Sequence, residues 1–467
     1  MKRKTNMNYA LVVLSASIML IAASCEKGFL EKKPDSSIVL LSSIEDLWNL
    51  LDNYQVMNYT SSLPQLSADE YFIINDDVFD GLIRETQRNA YIWADNPYGS
   101  ETTVASWNYP YTGIFYANSV LDALESTRFS YFPVAEKNPV KGSALFMRAY
   151  LFFDLLRTFA PIYDPATANT DSGIPIRLQS GIDYTAKRSS VAASYDQIFN
   201  DLESAKGLLP NATSPSYLNR PSVCAVYALM ARIHLERAEY ELASRYADSA
   251  LTLKNTLIDF NSLDSLSERP FANAPDEVIY YTQQIGEFNT TQYSINTQGY
   301  IGIDPELLRL YSSEDLRTAI YFQRNSLGNF NVKRGYATGI YPFTGLAVDE
   351  LYLIRAEALA RIGNSQSASE VLDELLVKRY LPGAYPGTAD LAPEDLLDRI
   401  LEERRKELVW RGTRWHDLRR LNKEGREIHL YRTVHGQQHH LLPNDPRYTF
   451  PIPPEEIQLS DIEQNRH

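Results

Sequence analysis

The stretch from Val226 to Leu253 constrains the fold more than any other part of the chain. Tyr227, Met230, Ala231, His234 and Ala238 are followed by Tyr240, Ala243, Ala247 and Ala250, so small and apolar residues return at the three- and four-residue intervals of a helix face. Alanines at such positions let two antiparallel helices approach closely, which is the packing of a tetratricopeptide helix pair. Tyr352, Ala356, Leu359, Ala368, Leu372 and Leu375 repeat the spacing, with Gly363 supplying the turn. A third copy uses Leu145, Ala149 and Phe152 for its first helix and Ile198, Leu202 and Ala205 for its partner, after an insertion rich in Pro and Gly. Tandem repeats of this kind follow one another at about 34 residues, and these copies do not, so an ordinary solenoid is excluded. The prediction is a mainly α fold in which tetratricopeptide-like helix pairs form a scaffold, with long irregular loops and a few short strands. His234 sits at the aromatic position of its pair and is expected to be a packed core histidine.

Further helical runs surround these pairs. Ser43 and Asp46 form a capping pattern ahead of Ile44, Leu47, Leu50, Leu51 and Tyr54, and another run carries Ile114, Ala117, Val120, Leu121 and Leu124. Two segments resist a helical reading, 69–106 and 271–343. Both are rich in Tyr, Asn, Gly and Thr, and contain only short β-prone pieces such as Val278, Ile279, Tyr280 and Tyr281. Loops this long in a compact domain are more often functional than idle.

The N-terminus carries an export address. Lys2, Arg3 and Lys4 precede an apolar run from about Tyr9 to Ala23, and Ala22, Ala23 and Ser24 lead to Cys25. The run is shorter than the roughly 20 apolar residues needed to span a bilayer, and its flanks are those of a cleavable signal. Residues 1–24 read as a lipoprotein signal peptide, Cys25 as the lipidated residue, and the polar stretch to residue 40 as a tether, although Ala22 stands where such signals usually carry Leu. With Cys25 acylated, Cys224 has no partner for a disulfide and is expected to be a small buried hydrophobe. The remainder divides into an N-terminal helical region, 41–260, and a C-terminal region, 261–467, that carries insertions. A formal charge of -14 would repel nucleic acid and anionic headgroups, so contact with the membrane is expected through the N-terminal lipid only.

The clustered polar residues are the candidates for chemistry. Asp69, Glu70, Asp76, Asp77 and Asp80 could supply paired carboxylates for glycoside hydrolysis, but no spacing fixes the required separation. The run Asp76, Asp77, Asp80, Gly81 lacks the ligand spacing and terminal Glu of an EF-hand, which leaves a solvated acidic loop as the reading. His435, His439 and His440 lack accompanying Cys or carboxylates in zinc-site spacing and read as a polar loop. No phosphate loop, nucleophile elbow or dinucleotide fingerprint occurs, and neither catalytic residue, metal nor cofactor is assigned.

Four pieces in order carry a family resemblance: FLEKKPD after Cys25, GSALFMRAYLFFDLLRTFAPIY (142–163) leading to Gly173, Ile174, Pro175 and Ile176, EERRKELVWRGTRWHDLRRL (402–421), and FPIPPEEI (450–457). Together they resemble the SusD/RagB family over the whole mature chain. The resemblance implies a non-enzymatic lipoprotein on the outer face of the outer membrane that captures an oligosaccharide and delivers it to a TonB-dependent, SusC-like transporter. The alternatives are a peptide ligand, as in the RagB branch, or a helical interaction scaffold without a small ligand. On a helix whose one face is Leu397, Ile400, Leu401, Arg404 and Leu408, Glu402 with Lys406 is an attractive pair and Glu403 with Glu407 a repulsive one, so a partly buried ion network, with Arg414 as a candidate cation, is expected to hold Trp415 and the last helices. Tyrosine, with 31 copies, offers a flat apolar face plus one hydrogen-bonding group and suits sugar recognition. By type and loop context the expected ligand contacts are Tyr91, Trp93, Asn96 and Tyr98 in the first long segment, and Tyr293, Asn296, Tyr300, Tyr336 and Tyr341 in the second.

Overall fold

Small side chains set the distance at which the long helices meet. The computed structural model describes residues 41–465 apart from 182–184, 213, 272–274, 294–298 and 338, so the signal segment, Cys25 and the tether lie outside the described residues. Ten helices of eight residues or more occur among those described. In chain order they are α1 (Ile44–Leu51), α2 (Ala105–Glu125), α3 (Val134–Phe159), α4 (Val191–Lys206), α5 (Val223–Glu236), α6 (Tyr240–Leu253), α7 (Val348–Arg361), α8 (Ser365–Leu376), α9 (Pro393–Glu407) and α10 (Arg414–Lys423). Helix α5 packs on α6, α7 on α8 and α3 on α4, which are the three pairs read from the spacing, and α2 adds a seventh helix, against α3. Ala243, Ala247 and Ala250 are fully buried, as their role at a close helix contact requires. Gly363 closes the turn after α7 at φ +83, a left-handed conformation that costs a residue with a Cβ and costs glycine little.

Helix α6 also lies against α7, so the helix pairs of the two expected regions stack directly, and Ser43 onward forms one compact unit. His234 is buried between parallel rings, 5.2 Å from Tyr246 and 4.9 Å from Phe199, as a core histidine. Cys224 is buried, and burial pushes its thiol up to about 12, which keeps it protonated and inert. The capping box at the start of α1 is present, with Ser43 and Asp46 each accepting the other's backbone N–H.

The two long segments are more regular than their composition suggested. The first holds a strand, Tyr71–Ile73, and two short helices, Asp76–Asp80 and Glu85–Tyr91; Asn75 caps the former by accepting from the Val78 N–H. The second holds short strands at Val278–Tyr280, Gln283–Gln284, Ile301–Ile303, Phe322–Arg324 and Phe330–Val332.

The ion network on α9 is present, with different partners and deeper burial than expected. Glu403 and Glu407 lie one turn apart, both fully buried, and Arg317 bridges them, with its Nη1 3.0 Å from Glu407. Arg379 donates to Glu407 at 2.7 Å and to Glu277 at 3.0 Å, while Lys406 holds Glu403 and Asp315, each at 2.9 Å. The repulsive pair is thus neutralised by arginines brought in from segments distant in sequence. Arg414 instead clamps Asp69 through two bonds of 2.7 and 2.8 Å, and Glu402 pairs with Arg399 rather than with Lys406. Arg404 reaches Asp417 at 2.9 Å and so ties α9 to α10. Trp415 is held from the other side, donating to the Tyr448 carbonyl at 3.2 Å with its ring 4.7 Å from that of Tyr448.

Candidate ligand-binding face

Backbone pairing brings the two long segments together. Tyr59–Thr60 runs parallel to Gln283–Gln284, and Tyr71–Ile73 pairs antiparallel with Ile301–Ile303. Beneath this junction Tyr71, Tyr91, Tyr293, Ile301, Phe322 and Trp410 form a hydrophobic cluster. Much of the aromatic content that marks these segments is therefore used to join them to each other and to the segment after α9.

That use accounts for five of the nine expected ligand contacts. Tyr91, Trp93, Tyr98, Tyr293 and Tyr336 are buried. The Tyr91 hydroxyl accepts from the Ile73 N–H at 3.0 Å, and the Trp93 indole donates to the Ser67 carbonyl at 3.0 Å. Arg432 lies over both rings, 3.8 Å from Tyr91 and 4.7 Å from Trp93. Tyr98 donates to the Pro451 carbonyl at 2.6 Å, and Tyr336 donates to Glu277, with Arg411 4.9 Å above its ring. Tyr293 is packed in the cluster with its hydroxyl met by the Gly335 backbone. A buried phenol or indole already paired with protein has no face or hydrogen bond to offer a sugar, so these five are corrected to structural residues. Of the rest, Asn96 is exposed and donates to the Gly99 carbonyl at 3.0 Å, Tyr300 is half-buried against the cluster, Tyr341 is half-buried at the surface, and Asn296 lies outside the described residues.

Tyr341 leads to a different group of rings. It lies across Gly286 so closely that a Cβ there would stand 2.1 Å from the ring, a contact only glycine permits. Tyr59, on the first paired strand, is the centre of the group: its strand partner Gln283 bridges to Phe343, two residues from Tyr341, and its phenol feels those of Tyr341, of Tyr54, from the short helix before the strand, and of Tyr109, from the first turns of α2. Tyr59 and Tyr109 meet edge to face at 5.7 Å. Burial is the main cause that lifts the Tyr59 phenol above its ordinary value; Gln283, its hydrogen-bond partner, counteracts this, and the phenols of Tyr341, Tyr109 and Tyr54 add to the rise. Tyr54 is 53% exposed and Tyr109 41%, and the hydroxyls of Tyr54, Tyr109 and Tyr341 make no hydrogen bond among the described residues. One loop away, Arg220 is held between Trp48 and Tyr217, 3.9 and 4.1 Å from their rings, in a loop joined to this region where the Tyr281 N–H donates to the Leu218 carbonyl. Composition pointed to neither Tyr54 nor Tyr109: Tyr54 falls in the first helical run, where a ring reads as core, and Tyr109 lies between the first long segment and the run that begins at Ile114.

The carboxylates of the first segment do not face one another as a hydrolytic pair. Asp69 is clamped by Arg414 and Arg405. Glu70 is buried, accepting from Gln65 at 2.6 Å and from the Trp410 N–H at 3.1 Å. The backbone turns both inward towards α9 and α10. Asp76, Asp77 and Asp80 are exposed as expected, and His435, in the turn of hairpin Leu430–Leu441, donates its Nε2–H to Asp80 at 2.9 Å. Among the described residues no group of three or more His, Cys, Asp or Glu is arranged to hold a metal ion, and no helix is long and apolar enough to cross a membrane.

Residues 28–235 match a family described as starch-binding associating with outer membrane, SusD-like, and residues 348–466 match the SusD family. SusD-like protein P2 of Formosa agariphila is 25% identical over 388 residues, which cover 70% of this chain and 74% of that protein. A SusD superfamily protein of Bacteroides thetaiotaomicron, 20% identical, superposes with a TM-score of 0.73 over 91% of this chain and 100% of its own. A laminarin-binding SusD-like protein, 18% identical, does so with a TM-score of 0.66 over 90% and 98%. With both family matches in chain order on either side of the second insertion, and the helical scaffold shared nearly end to end, the chain belongs to the SusD/RagB family.

Proposed function

We propose that this protein captures an oligosaccharide on the face formed by Tyr54, Tyr59, Tyr109 and Tyr341 and passes it to a SusC-like, TonB-dependent transporter, while the lipid on Cys25 holds it to the outer surface of the outer membrane. The observation that carries the reading is the gathering of four half-exposed tyrosines from three elements, three of them with hydroxyls that no described protein group engages. Such rings stack on the apolar faces of pyranoses while their hydroxyls and neighbouring amides take the sugar hydroxyls. Net gain per hydrogen bond is small, because each replaces one to water, so dissociation constants fall in the micromolar to millimolar range, about -8 to -4 kcal/mol. Binding this weak suffices when a tether keeps the captured molecule at the mouth of a transporter. The reading is one of binding without catalysis, since Asp69 is taken up in ion pairs and Glu70 is packed inside.

Glycan-array binding of the mature protein, followed by calorimetry on Tyr109→Ala and Tyr341→Ala, tests it. Each substitution should weaken binding about fivefold to tenfold, the worth of one stacked ring, with the melting temperature preserved. Unchanged affinity in both variants would move the ligand elsewhere, and binding of peptides in place of glycans would transfer the chain to the RagB mode.

A further inference from the structure

Helix α2 has a second face with the marks of a binding site. Between it, the stretch 175–179 and the short helix Pro454–Ser460 lies a groove of about 670 Å³. Trp107, Tyr111 and Phe115 recur at four-residue spacing along its floor. The first two are fixed in place: the Trp107 indole donates to Glu456 at 3.2 Å, the Tyr111 hydroxyl donates to the Pro175 carbonyl at 2.9 Å, and the rings lie 4.9 Å apart. Phe115, one turn on, is 40% exposed and presents an apolar face. Asn108 and Gln179 line the walls with side-chain amides that have no hydrogen-bond partner among the described residues.

The chemistry of this lining selects a ligand class. An aromatic floor flanked by planar amides matches a molecule with alternating apolar faces and hydroxyl edges. An anionic ligand is disfavoured, because Arg177, the cation in the lining, is engaged with the Gly181 carbonyl and faces a site that also contains Glu456. A purely apolar chain would leave the amides of Asn108 and Gln179 dry and unpaired. The volume suits a small ligand or a short run of sugar rings.

Exposed residues of α2 lead from the groove, whose lining includes Thr112 and Phe115, to Tyr109 of the tyrosine face. At 100° per residue, Tyr109, Thr112 and Phe115 step about 60° at a time round α2, spanning about 120° of its surface, and all three are exposed. The six residues from Tyr109 to Phe115 advance about 9 Å along the axis. We infer that the α2 groove is a second subsite for a neutral oligosaccharide, continuing the Tyr54, Tyr59, Tyr109 and Tyr341 face so that a longer chain occupies both. The inference rests on the glycan-binding reading of the first face.

Neutral gluco-, manno-, galacto- and xylo-oligosaccharides of two and of six sugar units serve as probes, with calorimetry on the mature protein and on Phe115→Ala, Gln179→Ala and Tyr341→Ala. In the series that binds, Phe115→Ala and Gln179→Ala should each lower affinity for the six-unit sugar about fivefold and leave the two-unit sugar unaffected, whereas Tyr341→Ala should weaken both. Phe115 and Gln179 are at the surface, and a melting temperature within error of the parent confirms that the fold is intact. If the six-unit sugar binds Phe115→Ala and Gln179→Ala as tightly as the parent while Tyr341→Ala still weakens it, the second subsite is overturned and the first reading stands. If no series binds the parent protein, both fall together.

Discussion

Trp93 adopts a left-handed backbone at φ +55 and tucks its ring beneath Arg432, with its indole N–H on the Ser67 carbonyl. Its residue type and loop context suggested a ligand contact; its burial makes it a keystone of the first insertion. Trp93→Ala should therefore lower stability by about 3 to 5 kcal/mol, the cost of emptying a buried aromatic site, measured by chemical denaturation. An unchanged denaturation midpoint with weakened glycan binding would restore the ligand role. Gly286 makes the opposite case, a residue without a side chain that positions one. Gly286→Ala should displace Tyr341 and weaken binding severalfold while leaving far-ultraviolet circular dichroism unaltered. Glu70 gives a signature in pH. Burial above all lifts its carboxyl to about 7, from an ordinary value of 4.5. The folded state then holds the proton more tightly than the unfolded chain does. Its contribution is full below about pH 4.5 and is lost as pH rises to 7, on the order of 3 kcal/mol across that window. Glu70→Gln should flatten the fall in stability between pH 5 and pH 7.5, read from melts at the two values, and an unflattened fall would show that Glu70 is ionised throughout.

Helix α9 shows how an element can carry a conflict that its own sequence cannot resolve. Glu403 and Glu407 repel each other on an isolated helix. In the folded chain Arg317, from a short helix far upstream, and Arg379, just after α8, supply the missing charge. Breaking one member of such a buried network leaves carboxylates without partners, so Arg317→Met should cost about 3 to 5 kcal/mol in a denaturant titration. Asp315 belongs to the same network; against burial, which would raise it, Arg317 and Lys406 bring its carboxyl down to about 2. A depressed carboxylate contributes stability above its unfolded value near 3.8 and loses it as pH falls towards 2, the opposite sign to Glu70. The melting temperature should accordingly drop on both sides of a maximum near pH 4 to 5 as far as these two groups govern it.

At the scale of the molecule, α6 stacks on α7 across the interval that contains most of the second insertion, and the strands of that insertion pair with strands near residues 60 and 72. The chain thus folds as one unit from Ser43 onward, in keeping with a scaffold shared over some nine-tenths of its length with SusD structures. A fragment of residues 41–260 would expose the face of α6 that packs on α7 and leave Tyr59–Thr60 unpaired. Expressed alone, it should melt without a cooperative transition, whereas residues 41–467 should melt in one. A sharp transition in the fragment would show that the N-terminal half is a domain in its own right.

Helix pairing, the core role of His234, the cap at Ser43 and the turn at Gly363 could be derived from the amino-acid sequence, because each depends on residues within a turn or two of one another. Family membership was legible for a related reason, since the resemblance is carried by short contiguous motifs such as RGTRW at 411–415. Which tyrosines face solvent was decided by tertiary structure alone. A tyrosine in an irregular segment gains as much by burying its ring and pairing its hydroxyl as by lying at the surface, and residue type does not tell the two apart. The same holds for the partners of Glu403 and Glu407 and for the arrival of Tyr54, Tyr59, Tyr109 and Tyr341 at one place: charges and rings from separate segments become neighbours only once the helices have stacked and the insertions have closed over them.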